Sequence, residues 1–206
     1  MATRKIYNVK SVKEKRYHSL DLGPFSQLVG KPEGKFVGMG YGEPGGGKSV
    51  WMLRFADFYA SNVGKVLYNS HEEGVRQTLR DRINDFGIQS PRLYFGNGLT
   101  YDEMVHKIER NYYRMAIVDS VQYMGFSYEQ LKELRERFAK RHFSLMMVSF
   151  GSSKGSPSCD KNLLHACDIK LFFKDGKVYS HGRGLAKPVT QVLFNANENQ
   201  QLSLFK

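Results

Sequence analysis

Residues 42–49 read Gly-Glu-Pro-Gly-Gly-Gly-Lys-Ser and match the pattern G-x-x-x-x-G-K-S at each of its fixed positions. Glycines here let successive backbone N–H groups turn inward and form a concavity the size of an anion. Lys48 supplies a cation for the β- and γ-phosphates of a nucleotide, and the Ser49 hydroxyl is a ligand for Mg²⁺. The octapeptide therefore predicts a phosphate-binding loop. The residues that we expect to contact the nucleotide are Gly42, Glu43, Pro44, Gly45, Gly46, Gly47, Lys48, Ser49 and Val50.

The segments on either side of this loop support the prediction. Residues 36–41 form a short apolar run of strand type, and residues 50–60 follow with helical periodicity. The loop thus leads into the amino terminus of a helix, where the helix dipole favours bound phosphate. From residue 36 onward strand and helix patterns alternate, which is typical of a mainly parallel sheet with helices on both faces.

Further patterns predict the remaining elements. Strands are expected at 65–70, 92–95, 115–119, 144–149, 168–174, 177–180 and 191–194, and helices at 75–86, 100–112 and 128–142. Thr100 with Glu103 forms a capping box at the start of the second of these helices. Asp175-Gly176 predicts a tight hairpin turn, so the carboxyl-terminal edge of the sheet should be antiparallel. The predicted fold class is α/β, with a mainly parallel central sheet.

Length and composition fit one such domain. The 206 residues are long enough to bury a substantial core, and no apolar stretch approaches the roughly 20 residues of a membrane span. The amino terminus lacks an apolar signal core, so with only two cysteines we expect a cytoplasmic protein. We expect a basic amino-terminal arm at 1–20, a single domain at 21–196 and a polar tail at 197–206.

The formal net charge is +11, which is high for a metabolic enzyme and ordinary for a protein that meets nucleic acid. The arm concentrates this charge, since residues 1–17 hold Glu14 as their one acidic residue against Arg4, Lys5, Lys10, Lys13, Lys15 and Arg16. A second basic group falls in and after the helix at 128–142. Its charges fit a binding surface or simply the solvated side of an amphipathic helix, and the sequence leaves both open.

Residues 115–119 form an apolar strand that ends in a carboxylate, Asp119. In parallel α/β sheets ligands bind at the carboxyl ends of the strands, so Asp119 and the phosphate loop should point into the same crevice. Asp119 would hold Mg²⁺ beside Ser49. The sequence therefore predicts a metal site made of Ser49 and Asp119.

Hydrolysis also requires a group that orients or deprotonates water. No glutamate follows Asp119, and the candidates are Glu72 and Glu73, at the end of the strand at 65–70. We expect this strand to lie next to the strand that leads into the loop, which would bring a glutamate to a water at the γ-phosphate. The alternative is that both residues are a charged helix start, since acids favour the first turn. The crevice geometry favours catalysis for one of them.

Taken together, these motifs resemble the ATPase core of RecA-fold proteins. The similarity rests on residues 67–73, the phosphate loop, residues 117–122 and residues 165–172, and it covers roughly 27–175. It is strongest to RadA/Sms-type DNA repair ATPases, with DnaB-type replicative helicases more distant. The resemblance implies a Mg²⁺-dependent ATPase with Lys48 and Glu72 as catalytic residues. It also implies a homo-oligomeric ring or filament with ATP between subunits and single-stranded DNA at its centre.

The chain departs from that family in several places. It shows no Cys-rich zinc module before the core and no protease-like domain after it. Ser149-Phe150 stands where the family often has a polar Gln or His. The family's Lys-Asn-Arg-Phe-Gly motif is not recognisable, and Arg183 and Lys187 occupy the comparable region as candidates for the cation donated to a neighbouring subunit. The loop at 151–158 corresponds to central DNA contacts in RecA-fold rings, which makes Lys154 a candidate DNA contact.

Three functions remain to be separated. The first is a RecA-like ATPase acting on DNA in recombination, repair or replication. The second is a scaffold that binds ATP for assembly with little hydrolysis. Phe150 and the missing Lys-Asn-Arg-Phe-Gly motif favour this alternative. The third is a monomeric P-loop kinase for a small molecule, which lacks support because the late loop is Gly/Ser-rich rather than Arg-rich.

Overall fold

One sheet organises the chain in a computed structural model, which describes residues 6–152, 155–183 and 185–193. Within these residues its strands are β1 (Val37–Gly42), β2 (Val66–Ser70), β3 (Leu93–Asn97), β4 (Met115–Asp119), β5 (Ser144–Phe150), β6 (Ile169–Lys174), β7 (Lys177–Gly182) and β8 (Val189–Val192). Residues 1–5 of the predicted arm, Lys154 and the predicted tail at 197–206 lie outside the described residues.

The helices of the described residues are α1 (Val9–Glu14), α2 (Ser26–Val29), α3 (Lys48–Asn62), α4 (Gln77–Asp85), α5 (Tyr101–Asn111), α6 (Val121–Met124), α7 (Tyr128–Arg137) and α8 (Lys161–Ala166). A 3₁₀ turn, Gly23–Phe25, precedes α2. The predicted capping box of α5 is confirmed, because Thr100 Oγ1 accepts from the Glu103 N–H and Glu103 Oε2 accepts from the Thr100 N–H. None of the helices in these ranges is both long and apolar enough to cross a membrane.

The strand order across the sheet is β3-β2-β4-β5-β1-β6-β7-β8. The pairs from β3 to β6 are parallel, and β6–β7 and β7–β8 are antiparallel. This confirms the predicted α/β class with a parallel centre and an antiparallel carboxyl-terminal edge. The predicted hairpin turn is also confirmed, since Asp175 and Gly176 have φ of 48° and 69°, as a type I′ turn requires.

The expectation that β2 lies next to β1 is wrong. β4 and β5 separate the two strands, so β2 pairs with β3 and β4 instead. The physical reason is that a helical crossover can return the chain to a sheet at more than one position, and the local pattern that predicts each strand does not specify which position is used.

The core lies on both sides of the sheet and holds α3 firmly in place. β1, β2 and β4 are buried along their whole length, as expected for parallel strands covered on both faces. On one side α3 packs its buried Phe55, Ala56 and Tyr59, while Trp51 stacks on Phe55 with ring centroids 5.1 Å apart. On the other side α5 and α7 contribute apolar residues of a second core cluster. The phosphate loop is thus fixed between a rigid strand and a rigid helix.

Candidate nucleotide site

The phosphate loop connects the buried end of β1 to the amino terminus of α3. Gly42 has φ of 147° and Gly47 has φ of 92°, conformations that side-chain-bearing residues rarely adopt. A Cβ at Gly42 would also overlap the carbonyl oxygen of Phe173 on the neighbouring strand β6. The first residues of α3 leave backbone N–H groups without intrahelical acceptors, and these face the position that an anion takes at a helix start.

The side chain of Lys48 folds back and forms hydrogen bonds to the phosphate loop. Its Nζ donates to the carbonyl oxygens of Gly42 at 2.9 Å and Glu43 at 2.7 Å, and the residue is 8% exposed. Burial lowers the pKa of Lys48, and the charges of Glu72, Asp119 and Glu43 oppose that shift. The ammonium therefore lies within the electrostatic reach of Glu72, the predicted catalytic carboxylate, and of Asp119, the predicted metal ligand. Its two carbonyl contacts leave it available to a phosphate that competes for the same donor.

Asp119 is the last residue of β4, and its two carboxylate oxygens have different surroundings. Its Oδ2 accepts a hydrogen bond from the Tyr68 hydroxyl at 2.6 Å, whereas Oδ1 is buried without a partner among the described residues. Burial raises the pKa of Asp119 to about 6, opposed by the Tyr68 hydrogen bond and reinforced by the charge of Glu72. A buried acceptor without a donor is costly, and a cation would satisfy it. The donor set of Asp119 and the Ser49 hydroxyl therefore fits Mg²⁺.

The two glutamates after β2 have different surroundings. The backbone N–H groups of His71 and Glu72 donate to the carbonyl oxygen of Asp119 at 2.5 and 3.3 Å. Glu72 is exposed, and its charge acts on both Lys48 and Asp119. Glu73 instead accepts from Arg82 Nη1 of α4 at 2.7 Å. The structure thus brings Glu72 to the crevice through its contact with the end of β4, and not through a neighbouring β1.

Gln122 has a role that the sequence did not predict. From α6, its Nε2 donates to Ser149 Oγ at 2.7 Å and to the carbonyl oxygen of Ser158 at 2.9 Å. Its Oε1 accepts from the Phe150 N–H at 3.4 Å. One amide therefore joins the segment after Asp119 to the end of β5 and to the far end of the loop at 151–158. The signal in the sequence was a polar residue three positions after Asp119, but its partners lie 27 to 36 residues away.

The loop at 151–158 also contacts the phosphate loop directly. The Gly151 N–H donates to the carbonyl oxygen of Gly42 at 3.0 Å, and this oxygen also accepts from Lys48 Nζ. A Cβ at Gly151 would lie 2.8 Å from the Gly42 nitrogen, closer than real Cβ atoms come. Gly151 is therefore packed on the phosphate loop with no room for a side chain. A displacement of Gly42 would also displace Gly151.

The candidates for a cation donated between subunits lie elsewhere. Arg183 Nη1 donates to Asp168 Oδ1 at 3.2 Å, and Asp168 Oδ2 accepts from the Val37 N–H at the amino end of β1. Arg183 is thus at the opposite end of β1 from the chain's own phosphate loop, and Lys187 is exposed. Arg183 is therefore not part of the crevice within one chain. Lys154, the predicted DNA contact, lies outside the described residues.

The basic group near α7 is largely engaged within the fold. Arg137 Nε donates to Glu109 Oε1 at 2.7 Å, and Arg135 Nη2 donates to the carbonyl oxygen of Ala166 at 2.7 Å. The Arg141 guanidinium lies 5.0 Å from the centre of the Tyr112 ring. Of the two interpretations left open by the sequence, these contacts favour the solvated side of an amphipathic helix over a binding surface.

The fold is RecA-like, and it carries a P-loop motif at residues 42–49. Among solved structures, the KaiC-like protein PH0186 from Pyrococcus horikoshii superposes with a TM-score of 0.63, at 16% identity over 86% of this chain and 93% of that one. The flagellar accessory protein FlaH from Methanocaldococcus jannaschii gives 0.60, at 14% identity over 88% of this chain and 97% of that one. The ATPase domain of G40P gives 0.61, at 11% identity over 88% and 90%.

In sequence the chain is similar to proteins named DNA repair protein RadA. The relative from Synechocystis sp. is 28% identical over 76% of this chain and 40% of its own length. The relative from Bacillus subtilis is 26% identical over 82% of this chain and 39% of its own length. The chain thus spans about two fifths of the length of these curated relatives. No protein-family model matches the sequence.

Proposed function

We propose that this chain binds ATP with Mg²⁺, hydrolyses it and uses the energy to act on DNA. The proposal is supported by the proximity of Lys48, Asp119 and Glu72: the charges of Glu72 and Asp119 act on Lys48, and those of Glu72 and Lys48 act on Asp119. A cation, a buried carboxylate oxygen without a hydrogen-bond donor and an exposed carboxylate suit charge compensation, metal binding and water activation in phosphoanhydride hydrolysis.

Each residue has a distinct task in this proposal. Lys48 compensates charge on the β- and γ-phosphates, after exchanging its loop carbonyls for phosphate oxygens. Asp119 and the Ser49 hydroxyl hold Mg²⁺, which when bound would neutralise charge that develops on the phosphates. Glu72 orients the attacking water and accepts its proton, since among the described residues no side chain forms a hydrogen bond or ion pair with it, whereas Glu73 is paired with Arg82.

The DNA part of the proposal rests on charge and on similarity. The net charge of +11 suits a nucleic acid partner, and the RadA relatives are named as DNA repair proteins. The loop at 151–158 begins with a hydrogen bond to the phosphate loop, so a DNA strand that contacts this loop would be linked to the nucleotide. We further propose a homo-oligomer with ATP between subunits, to which Arg183 or Lys187 of a neighbouring copy would contribute a cation.

The scaffold alternative was favoured by Phe150, whose ring cannot bond a phosphate. In the structure Phe150 packs edge-on against Tyr123, with ring centroids 5.6 Å apart, while Gln122 and Ser149 supply polar groups beside it. Polar groups therefore remain at this position of the crevice, which supports a hydrolysing protein over a scaffold.

The test is ATP turnover by the purified chain with and without single-stranded DNA, together with its mass by light scattering. The Lys48→Ala variant should lose ATP binding or turnover and keep its fold, while Lys65→Ala, an exposed lysine before β2, should behave like the original protein. An inactive but ATP-binding chain would support the scaffold. Turnover that needs a small-molecule acceptor in a monomer would support the kinase. Unchanged turnover in Lys48→Ala would refute the proposal.

A further inference from the structure

The antiparallel strands β6, β7 and β8 form a sheet face on which exposed and half-buried side chains recur at every second residue. Along β6 and β7 buried residues alternate with exposed or half-buried ones, so every second side chain lies on the face opposite Val178 and Ser180. On that face Phe172 is half-buried against the second core cluster. The outward residues of β6–β8, which we call the open sheet face, are Lys170, Phe172, Lys174, Lys177, Tyr179, His181, Thr190 and Val192. The other side of β7 is closed by the core, where Val178 and Ser180 are buried.

Strand register arranges these residues in rows of alternating chemistry. Lys170 is paired with His181, Phe172 with Tyr179, and Lys174 with Lys177. Successive rows are about 7 Å apart, the rise of two residues along a strand. An aromatic row therefore lies between two cationic rows. None of the outward residues in these described strands is acidic, and the turn between Lys174 and Lys177 carries Asp175.

The aromatic row is ordered. The Phe172 and Tyr179 ring centroids are 5.9 Å apart with an interplanar angle of 32°, and Tyr41 continues the series behind Phe172 at 5.5 Å and 31°. Tyr179 is 37% exposed, so part of its ring is available to a partner. Buried Tyr41 lies behind Phe172, and half-buried Phe172 lies behind Tyr179, so the plane of the Tyr179 ring is supported without help from a ligand.

We propose that the open sheet face binds single-stranded nucleic acid, with a base stacked on Tyr179 beside Phe172 and phosphates held by Lys170, Lys174 and Lys177. Sheets that present aromatic rings beside cations suit unpaired bases, because every base has a flat face and every nucleotide carries a phosphate charge. Duplex DNA has its bases stacked inside and would use only the lysines.

The open sheet face adjoins the loop that the proposed function already assigns to DNA. A Cβ on Gly155 of that loop would lie 3.6 Å from the Phe172 ring, so the two surfaces are continuous. This inference rests on the proposed function in naming DNA as the partner, and it extends the contact from one loop to the edge of the sheet. A strand crossing the face would pass from β7 toward the loop at 151–158.

The test is binding of a labelled oligo-dT and of a duplex of equal length, measured by fluorescence anisotropy over a range of salt. Tyr179→Ala should weaken single-strand binding by about tenfold and leave the salt dependence unchanged, while Tyr179→Phe should retain binding. The double variant Lys174→Ala/Lys177→Ala should reduce the log–log salt slope by about 1.4, from about 0.7 for each phosphate contact. Lys31→Ala/Lys65→Ala removes the same charge from exposed sites elsewhere and should leave the single-strand affinity close to that of the original protein.

The outcomes separate this inference from the proposed function. If the original protein binds oligo-dT but the face variants match it in affinity and slope, the face is not a binding site and the inference fails alone. If the lysine pair alters the mass of the assembly and not the affinity, the face is a subunit contact and the inference also fails. Absence of binding by the original protein at about 50 mM salt would remove the DNA part of the proposed function itself. Melting temperatures confirm that each variant is folded.

Discussion

Gln122 donates a hydrogen bond to Ser149 Oγ at 2.7 Å, joining the segment that follows Asp119 to the end of the strand that precedes the loop at 151–158. The same amide donates to the carbonyl oxygen of Ser158, at the other end of this loop. Gly151 in turn donates to Gly42 of the phosphate loop. Both ends of the loop are therefore tied to the nucleotide crevice, one through Gln122 and one through the backbone.

Removal of the Gln122 amide should uncouple the loop from the nucleotide. Gln122→Met keeps the length of the side chain but loses its hydrogen bonds, so we expect ATP affinity within a few-fold of the original and loss of any effect of DNA on it. Because coupling is reciprocal, ATP should then also lose its effect on DNA affinity. ATP titrations with and without oligo-dT measure this directly. Gln122→Glu, which can accept but not donate, should give an intermediate effect, and undiminished coupling in both variants would contradict the role.

Gly151 should tolerate no side chain. A Cβ there would lie 2.8 Å from the nitrogen and 3.0 Å from the Cα of Gly42, so Gly151→Ala must displace the phosphate loop. We expect ATP affinity to fall by about tenfold or more, as a misplaced loop loses hydrogen bonds to phosphate. Isothermal titration with a non-hydrolysable ATP analogue measures the loss, and Ser152→Ala, one residue further along an exposed stretch, is the matched control. Equal affinities in the two variants would show that the contact is not tight.

The raised pKa of Asp119 predicts a pH dependence of stability. Burial holds this pKa at about 6 in the fold against 3.8 for an ordinary aspartate, so the folded protein binds the extra proton between those values. Its contribution to stability is present at low pH and is lost as pH rises through about 6. Asp119→Asn should therefore raise the melting temperature of the nucleotide-free protein at pH 7.5, by an amount equivalent to roughly 1–3 kcal/mol, and change it little at pH 4.

The Mg²⁺ dependence of ATP binding and the stability of the variant both test the role of Asp119. Metal ligation requires the ionised carboxylate, so Mg²⁺-dependent ATP affinity of the original protein should weaken below pH 6. The Asn variant should lose this pH dependence and bind Mg²⁺ more weakly. A variant that is less stable than the original at pH 7.5 would show that burial of the ionised Asp119 carboxylate does not destabilise the fold.

The basic arm should be dispensable for folding and important for electrostatics. No residue of α1 is buried, and Ile6 and Val9 are 100% and 72% exposed. Deletion of residues 1–17 should therefore leave the melting temperature and basal ATP turnover unchanged. It should reduce the log–log salt slope of single-strand binding by up to about 4, from about 0.7 for each of the arm's basic residues. A slope unchanged by the deletion would show that the arm stays away from DNA.

Local signals in the sequence predicted the elements that depend on neighbouring residues. The strand at Met115–Asp119 has the predicted bounds, and the Thr100 capping box and the Asp175-Gly176 turn are in place. The sequence also indicated that Lys48 and Asp119 lie close together, because the carboxyl ends of parallel strands share one edge of a sheet. These inferences need only short-range chemistry and one rule of topology.

What depends on distant pairing could not be predicted in the same way. The position of β2 beside β4, and not β1, is set by contacts between segments far apart in the chain. α6 spans four residues, too few for a helical period to show. The predicted helix at 128–142 ends at Arg137, where Phe138 turns into the core and forms the carboxyl-terminal cap. Gln122 was visible in the sequence, but its partners were not.

The central claim is that Glu72 activates water for ATP hydrolysis in the crevice formed with Lys48 and Asp119. Single-turnover hydrolysis by Glu72→Gln, compared with Glu73→Gln, tests it most directly. The Glu72 variant should bind ATP within a few-fold of the original and hydrolyse it at least about 10²-fold more slowly. The Glu73 variant should lose only its partly exposed ion pair with Arg82, about 1 kcal/mol of stability or less, and keep most of its rate. A full rate in Glu72→Gln, or the larger loss in Glu73→Gln, would contradict the claim.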